Sequence, residues 1–279
     1  VTVKEVGDKS ILDVPATLIK DVTVKGQVIG AGGTAGMAVA HYGSNNMITF
    51  RYRLKQVPMK VAKEAFTVGS TSFPAGSFLI TGSAADLAAA RTAVESLGLT
   101  AAMFATAPSV PAHESEVPRV AIYSQWNGTQ ELGWYRHAFD QFGIPFDLIY
   151  KERVAAGNLE RDYDVIIMAT QNVNRGAIMA APASRPSPYQ KNDRFKFLGM
   201  YGETADTTGG FGQAGVDAFK KFFEAGGTLI ATHTAVRFPI DFGFARSVDT
   251  ESVQGFTAQK PLVNAEILRP THPVFYGYE

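Results

Sequence analysis

Apolar residues recur at helical spacing at Val216, Phe219, Phe222 and Phe223, and the run stops at Gly226-Gly227. Glycine tolerates the left-handed conformation that a helix end requires, so a helix ends there. Residues 228–231, Thr-Leu-Ile-Ala, follow at once. Short, apolar and partly β-branched, they predict a strand buried in a parallel sheet. The polar triplet Thr232-His233-Thr234 then falls at the carboxyl end of that strand, where open α/β sheets place their ligands. The same alternation runs back to residue 119. Residues 120–123 predict a strand, 130–142 a helix ended by Gly143, and 146–150 and 165–170 two more strands, with 265–268 a further one. Continuous apolar strands separated by helices predict a doubly wound parallel sheet with right-handed crossovers.

The first part of the chain alternates on a smaller scale. β-prone runs at 17–19 and 22–24 precede the glycine-rich stretch 30–36. Residues 37–42 and 58–62 predict strands, and Ser44 or Asn45 can cap a helix running to about residue 54. Phe73-Pro74-Ala75-Gly76 is a turn into a strand at 77–81. Ser83 then caps a long helix over 84–97 that Gly98 ends, and 101–104 closes the unit as a strand. We therefore expect a small α/β domain over 1–107, a Pro-rich linker over 108–118 with no helical or strand period, and a second domain over 119–279. Within it, residues 171–212 form a long irregular insertion, expected to drape near the carboxyl ends of the strands as a lid on the His233 crevice.

Composition narrows the chemistry. At 279 residues, with 46% apolar and 19% charged residues, the chain is globular and long enough for two cores. Zero formal net charge argues against nucleic acid or an anionic membrane as partner. No apolar run approaches the ~20 residues that span a bilayer. The absence of cysteine removes disulfides, thiolate nucleophiles and cysteine-ligated metal together. Starting at Val1 and ending at Glu279 just after a His-Pro turn, the chain reads as a processed or excised segment, truncated in its second domain.

The candidate site gathers around His233. Its imidazole sits where small shifts carry it through neutrality, so it suits a general base or a ligand donor; the plainer role is a histidine satisfied by backbone carbonyls. Trp126 at the end of the first strand of the second domain, Gln171, Thr232, Thr234 and Arg237 are the residues expected to bind ligand with it. Trp134, on a helix that packs on the sheet, is expected in the core. His272 before Pro273 is expected to shape a turn, and Glu266 to face solvent on an edge strand. Residues 30–36 lack the Lys-Ser/Thr of a phosphate loop and read as an ordinary loop. His113 and Glu116 share the H-x-x-E spacing of paired zinc ligands, yet they lie in the linker, so no metal site is expected.

Helix, Gly-Gly, strand and sharp turn resemble the nucleophile elbow of the class I glutamine amidotransferase-like fold, a flavodoxin-like α/β architecture. His233 falls at the cysteine position, between Ala231 and Ala235, which excludes thioester chemistry. A similar histidine-for-cysteine pattern occurs in the trehalose-utilisation (ThuA-like) branch. A closer resemblance rests on ordered motifs: Arg119-Val120-Ala121-Ile122-Tyr123, Gly133-Trp134, Ala156-Gly157-Asn158-Leu159, Tyr163-Asp164-Val165-Ile166-Ile167, the helix up to Gly227, and Thr271-His272-Pro273-Val274-Phe275-Tyr276-Gly277. Upstream, Ser44-Asn45-Asn46, Ala62-Lys63-Glu64-Ala65-Phe66 and Phe73-Pro74-Ala75-Gly76-Ser77-Phe78 agree as well. Together they are similar to the region downstream of the catalytic domain in large bacterial zinc carboxypeptidases of the carboxypeptidase A type. The resemblance implies a non-catalytic accessory region with no cofactor of its own. Its partners would be the upstream peptidase domain and a peptide or glycan, in a periplasmic or secreted parent. The alternative it leaves open is a ThuA-like enzyme or small-molecule binder working on a sugar-related ligand at the His233 crevice.

Overall fold

The computed structural model describes residues 7–20, 22, 24–30, 33–128, 130–196, 202–249, 254–255 and 264–278. The fold is α/β, with a mixed sheet in the first half and a parallel sheet in the second.

The first half contributes strands β1 (Gln27–Ile29), β2 (Gly36–Val39), β3 (Met59–Ala62), β6 (Phe78–Ile80), β7 (Thr100–Phe104) and β8 (Ala112–Glu114) in the order β1-β7-β2-β6-β3-β8, and a separate hairpin of β4 (Phe66–Val68) and β5 (Thr71–Phe73). Helices α1 (Asn46–Arg53) and α2 (Ala84–Leu97) cover one face, burying Met47, Phe50, Leu87 and Val94 against Met37, Val39 and Ile80. The helix boundaries of α2 follow from its caps. Ser83 Oγ accepts from Asp86 N, Asp86 Oδ2 accepts from Ser83 N, and Gly98 ends the helix at φ 69°.

Two expectations for this half change. Residues 17–19 form no strand and lie exposed; the first strand is Gln27–Ile29, whose partner β7 supplies a parallel ladder. The Pro-rich linker contains β8, an edge strand antiparallel to β3, with Pro111 just ahead of it. Proline is tolerated at the start of an edge strand, which is why its presence did not prevent one. In the glycine-rich stretch, a Cβ on Gly33 would lie 2.6 Å from the Phe104 backbone, so this residue is small to let the chain run against β7.

In the second half β9 (Val120–Tyr123), β10 (Asp147–Ile149), β11 (Val165–Met168) and β12 (Thr228–Ala231) are parallel in the order β10-β9-β11-β12, a general flavodoxin-like arrangement. Helix α3 (Gln130–Phe142) covers one face through Leu132, Tyr135 and Phe139. On the other face pack the short α4 (Lys151–Ala155), α5 (Leu159–Asp162) and α6 (Arg175–Met179), the long α7 (Gly212–Glu224) and α8 (Arg237–Asp241). The core of this face is aromatic: Phe219 of α7 meets the rings of Phe211, Phe222, Phe223 and Phe238.

Here three expectations are corrected. The strand β12 is not buried on both faces: Leu229 and Ala231 pack on the α7 side, while Ile230 on the α3 side is 46% exposed. The apolar side chains of helix α3 pack on β9, β10 and β11. Trp134 is 65% exposed rather than in the core. It lies about 100° around the helix from Tyr135, off the stripe that Leu132, Tyr135 and Phe139 make. Residues 265–268, Glu266 among them, form no strand and are exposed.

The halves are joined by more than the chain. Thr49 Oγ1 donates to Phe142 O (2.6 Å), and Tyr52 OH to Pro118 O (2.8 Å). The C-terminal segment returns to the first half, where Tyr276 packs on the core and Gly277 lies against His41 and Gly43. His272 shapes a turn: its Nδ1 accepts from Val274 N ahead of Pro273. Among the described residues no helix is long and apolar enough to cross a membrane.

Candidate functional site

Chain order reverses between β9 and β11, because the chain passes from β9 outward to β10 and then back to β11. Such a switch point opens a crevice beyond the carboxyl ends of the two strands. A pair of glutamines closes it here. Gln171 Oε1 accepts from Gln125 N (3.0 Å) and its Nε2 donates to Tyr123 O (3.0 Å), while Gln125 Nε2 donates to Asn172 O. The amide of Gln171 thus fastens the loop after β11 to the loop after β9, and open space is left on either side of the clasp.

On the β12 side lies a cleft of about 640 Å³. Gln171, Asn172 and Asn174 line it from the loop after β11, and Arg175 from the start of α6; Thr234, Arg237 and Asp241 line it from the segment after β12. Asp241 organises its charges. Its carboxylate pairs with Arg237 (2.7 Å) and accepts from Arg175 N (3.0 Å), and its carbonyl accepts from the Arg175 guanidinium, which rests over the Phe242 ring. Thr234 Oγ1 donates to Gln171 O (3.1 Å). The wall is therefore built of amides, a hydroxyl and two guanidinium groups around one carboxylate.

His233 follows β12 directly, at the carboxyl edge of the sheet, with φ 51°. It is exposed, and its imidazole has no hydrogen-bond partner among the described residues. Only it and Asn158 among the described non-glycine residues take positive φ. Histidine and asparagine tolerate this region better than other side chains, and β-branched ones tolerate it worst. His233→Asn should therefore leave stability within about 0.5 kcal/mol, and His233→Val should cost about 1–2 kcal/mol. Urea melts of the two variants check this. Equal stability would mean that the turn relaxes to ordinary φ.

Of the residues read from the sequence, Gln171, Thr234 and Arg237 meet in this cleft, while His233 stands next to it along the chain and is not one of its lining residues. Thr232 is turned to α3, its Oγ1 accepting from Tyr135 OH (3.2 Å). Trp126 is held elsewhere. It stacks on Tyr150 (centroids 3.7 Å, 7°), donates from Nε1 to Glu152, and meets the ring of Tyr189 of the insertion. The later described part of the insertion folds over this Trp126 side, where the Tyr189–Thr204 bridge ties it together, while its first residues, Gln171 to Gly176, line the cleft with Thr234 and Arg237. His113 contacts Glu114 O, and no group of three or more metal-ligating side chains occurs among the described residues. The H-x-x-E pair has no third ligand there, and a zinc site with an open position needs three.

Arg175 and Asp241 were not legible beforehand. They lie 66 residues apart and carry no motif. No family model, no curated protein and no solved structure matches the chain.

Proposed function

We propose that the chain is a non-catalytic accessory region of a zinc carboxypeptidase-like protein, and that it binds an extended peptide or glycan in the crevice beside His233. The observation that carries this reading is the wall of that crevice, where amide, hydroxyl and guanidinium groups from three segments converge at the carboxyl ends of β11 and β12. Such groups recognise carbonyls, carboxylates and sugar hydroxyls through directed hydrogen bonds. The ordered motifs shared with zinc carboxypeptidases, and the elbow-like turn of the class I glutamine amidotransferase-like fold, support the assignment. Hydrolysis at the elbow position is disfavoured on chemical grounds. A thiolate is the nucleophile of glutamine hydrolysis in this fold, the chain has no cysteine, and a base works best when a second group orients it.

The test is binding of the purified chain to immobilised peptide and oligosaccharide panels, repeated with Arg175→Gln and Asn172→Ala. Loss of a charge-assisted hydrogen bond is worth about 1.5–3 kcal/mol, so Arg175→Gln should weaken the best ligand by about tenfold or more. A ligand that both variants bind as tightly as the unmodified chain does would place recognition outside the crevice.

A second reading has one observation in its favour. The left-handed turn at His233 is a departure that folds retain where a side chain must be aimed, as a ThuA-like site acting on a sugar-related ligand would require. Consumption of a sugar derivative that is lost in the folded His233→Asn variant would favour it.

A further inference from the structure

On the other side of the glutamine clasp is a second cavity, of about 310 Å³, at the carboxyl end of β9. It shares no lining residue with the cleft beside His233. Residues 207–209 of the insertion and Trp126 wall it, and Tyr123 and Lys151 reach it from below.

Tyr123 is the unusual member. It is 2% exposed, with its ring edge-on to Phe211 in the aromatic core. Its hydroxyl has no hydrogen-bond partner among the described residues. The one sealed side-chain atom without a partner among them is Glu160 Oε2, so the phenol oxygen is not fully sealed, and Tyr123 is one of the residues that line the cavity. Phenylalanine at this position would keep the ring contact with Phe211 and lose only the hydroxyl. Burial, with the Glu152 carboxylate nearby, raises the phenol's pKa above the usual tyrosine range. The group is a neutral O–H donor.

Lys151, the first residue of α4, is the only charged side chain on the cavity wall among the described residues. It donates to Thr208 O, which leaves further N–H donors of the ammonium group. The carboxylates behind the wall are engaged. Glu152 accepts from Trp126 Nε1 and Thr204 Oγ1, and Asp206 from Ser187 N and Thr208.

We propose that this cavity is a second ligand site, one that takes a small carboxylate held between the Lys151 ammonium and the Tyr123 hydroxyl. Its volume, at the low end for small-molecule sites, suits a ligand the size of a single amino acid. The site stands independently of the reading given to the His233 crevice.

Trp126 reports on the cavity. In a Trp134→Phe background it is the sole tryptophan, since the chain has two. Its emission is followed while N-acetyl-L-alanine is added, with N-acetyl-L-alaninamide as the uncharged control. The acid should give a saturable change at millimolar concentration and the amide none. Tyr123→Phe should weaken the acid by about tenfold, the worth of one hydrogen bond to a charged group, while leaving the melting temperature equal or higher. Lys151→Met should abolish the response. No saturable change up to about 50 mM, a range reaching Kd values well above 1 mM, would overturn the proposal. So would an equal response to acid and amide, or unaltered binding by Tyr123→Phe. A fall in the melting temperature of Tyr123→Phe by more than about 3 °C would overturn it too, by showing the hydroxyl to be held by the protein itself.

Discussion

Phe219→Ala is expected to cost about 3–5 kcal/mol of stability, the range for emptying a fully buried aromatic site. Phe219 is wholly buried, and its ring centroid lies 4.8 Å from that of Phe238, 5.8 Å from Phe211, 6.0 Å from Phe223 and 6.3 Å from Phe222. Those neighbours belong to α7, its N-terminal cap and α8, each fixed by its own backbone hydrogen bonds, so the void cannot collapse freely. With domain stabilities of about 5–15 kcal/mol, the loss is a large share of the total. Phe238 follows His233 by five residues, so the substitution should also loosen the segment that carries Thr234 and Arg237. Urea denaturation should show a lower midpoint with an unchanged slope. A loss below about 1 kcal/mol would mean that α7 is not the keystone of this face.

Much of this was legible in the sequence, for a physical reason. The elements α2 and α7 carry their own stop signals, Gly98 and Gly226-Gly227, and β9, β11 and β12 are apolar runs bounded by polar residues. Local pattern fixes such elements, and it placed His233 at a strand end. What neighbours a residue is decided elsewhere. Ile230 reads as buried, and it is exposed because the apolar side chains of α3 pack on β9, β10 and β11 instead. Residues 265–268 have strand character, but a strand needs a partner to exist. The charges of the cleft depend on Asp241 reaching Arg175 across 66 residues. At Tyr123 the pattern gives a core position correctly, but it says nothing about whether the hydroxyl finds a partner.

Gln171→Leu should cost about 2–3 kcal/mol and open the crevice between β9 and β11. The side chain is half-buried and makes two hydrogen bonds of 3.0 Å, one to Gln125 N and one from its own amide to Tyr123 O. Leucine has nearly the same volume and neither bond. Both bonds to backbone groups are then lost, at about 1 kcal/mol or more each. Exchange of the Gln125 amide proton should accelerate by at least about tenfold, in proportion to the free energy lost at that contact. Gln171→Glu keeps the acceptor for Gln125 N and gives up the donor to Tyr123 O, so it should fall between the two. If the leucine variant is as stable as the unmodified chain and its Gln125 amide is equally protected, the clasp is incidental and the two cavities are not separated by it.

The proposal of a binding region in place of a hydrolase meets its most direct test in turnover. The purified chain and its His233→Ala variant are incubated, with and without added zinc, with C-terminal peptide substrates and with glutamine, and product is quantified. The account predicts no product above the blank from either protein. Turnover by the unmodified chain that disappears in His233→Ala would contradict it and make His233 a catalytic residue.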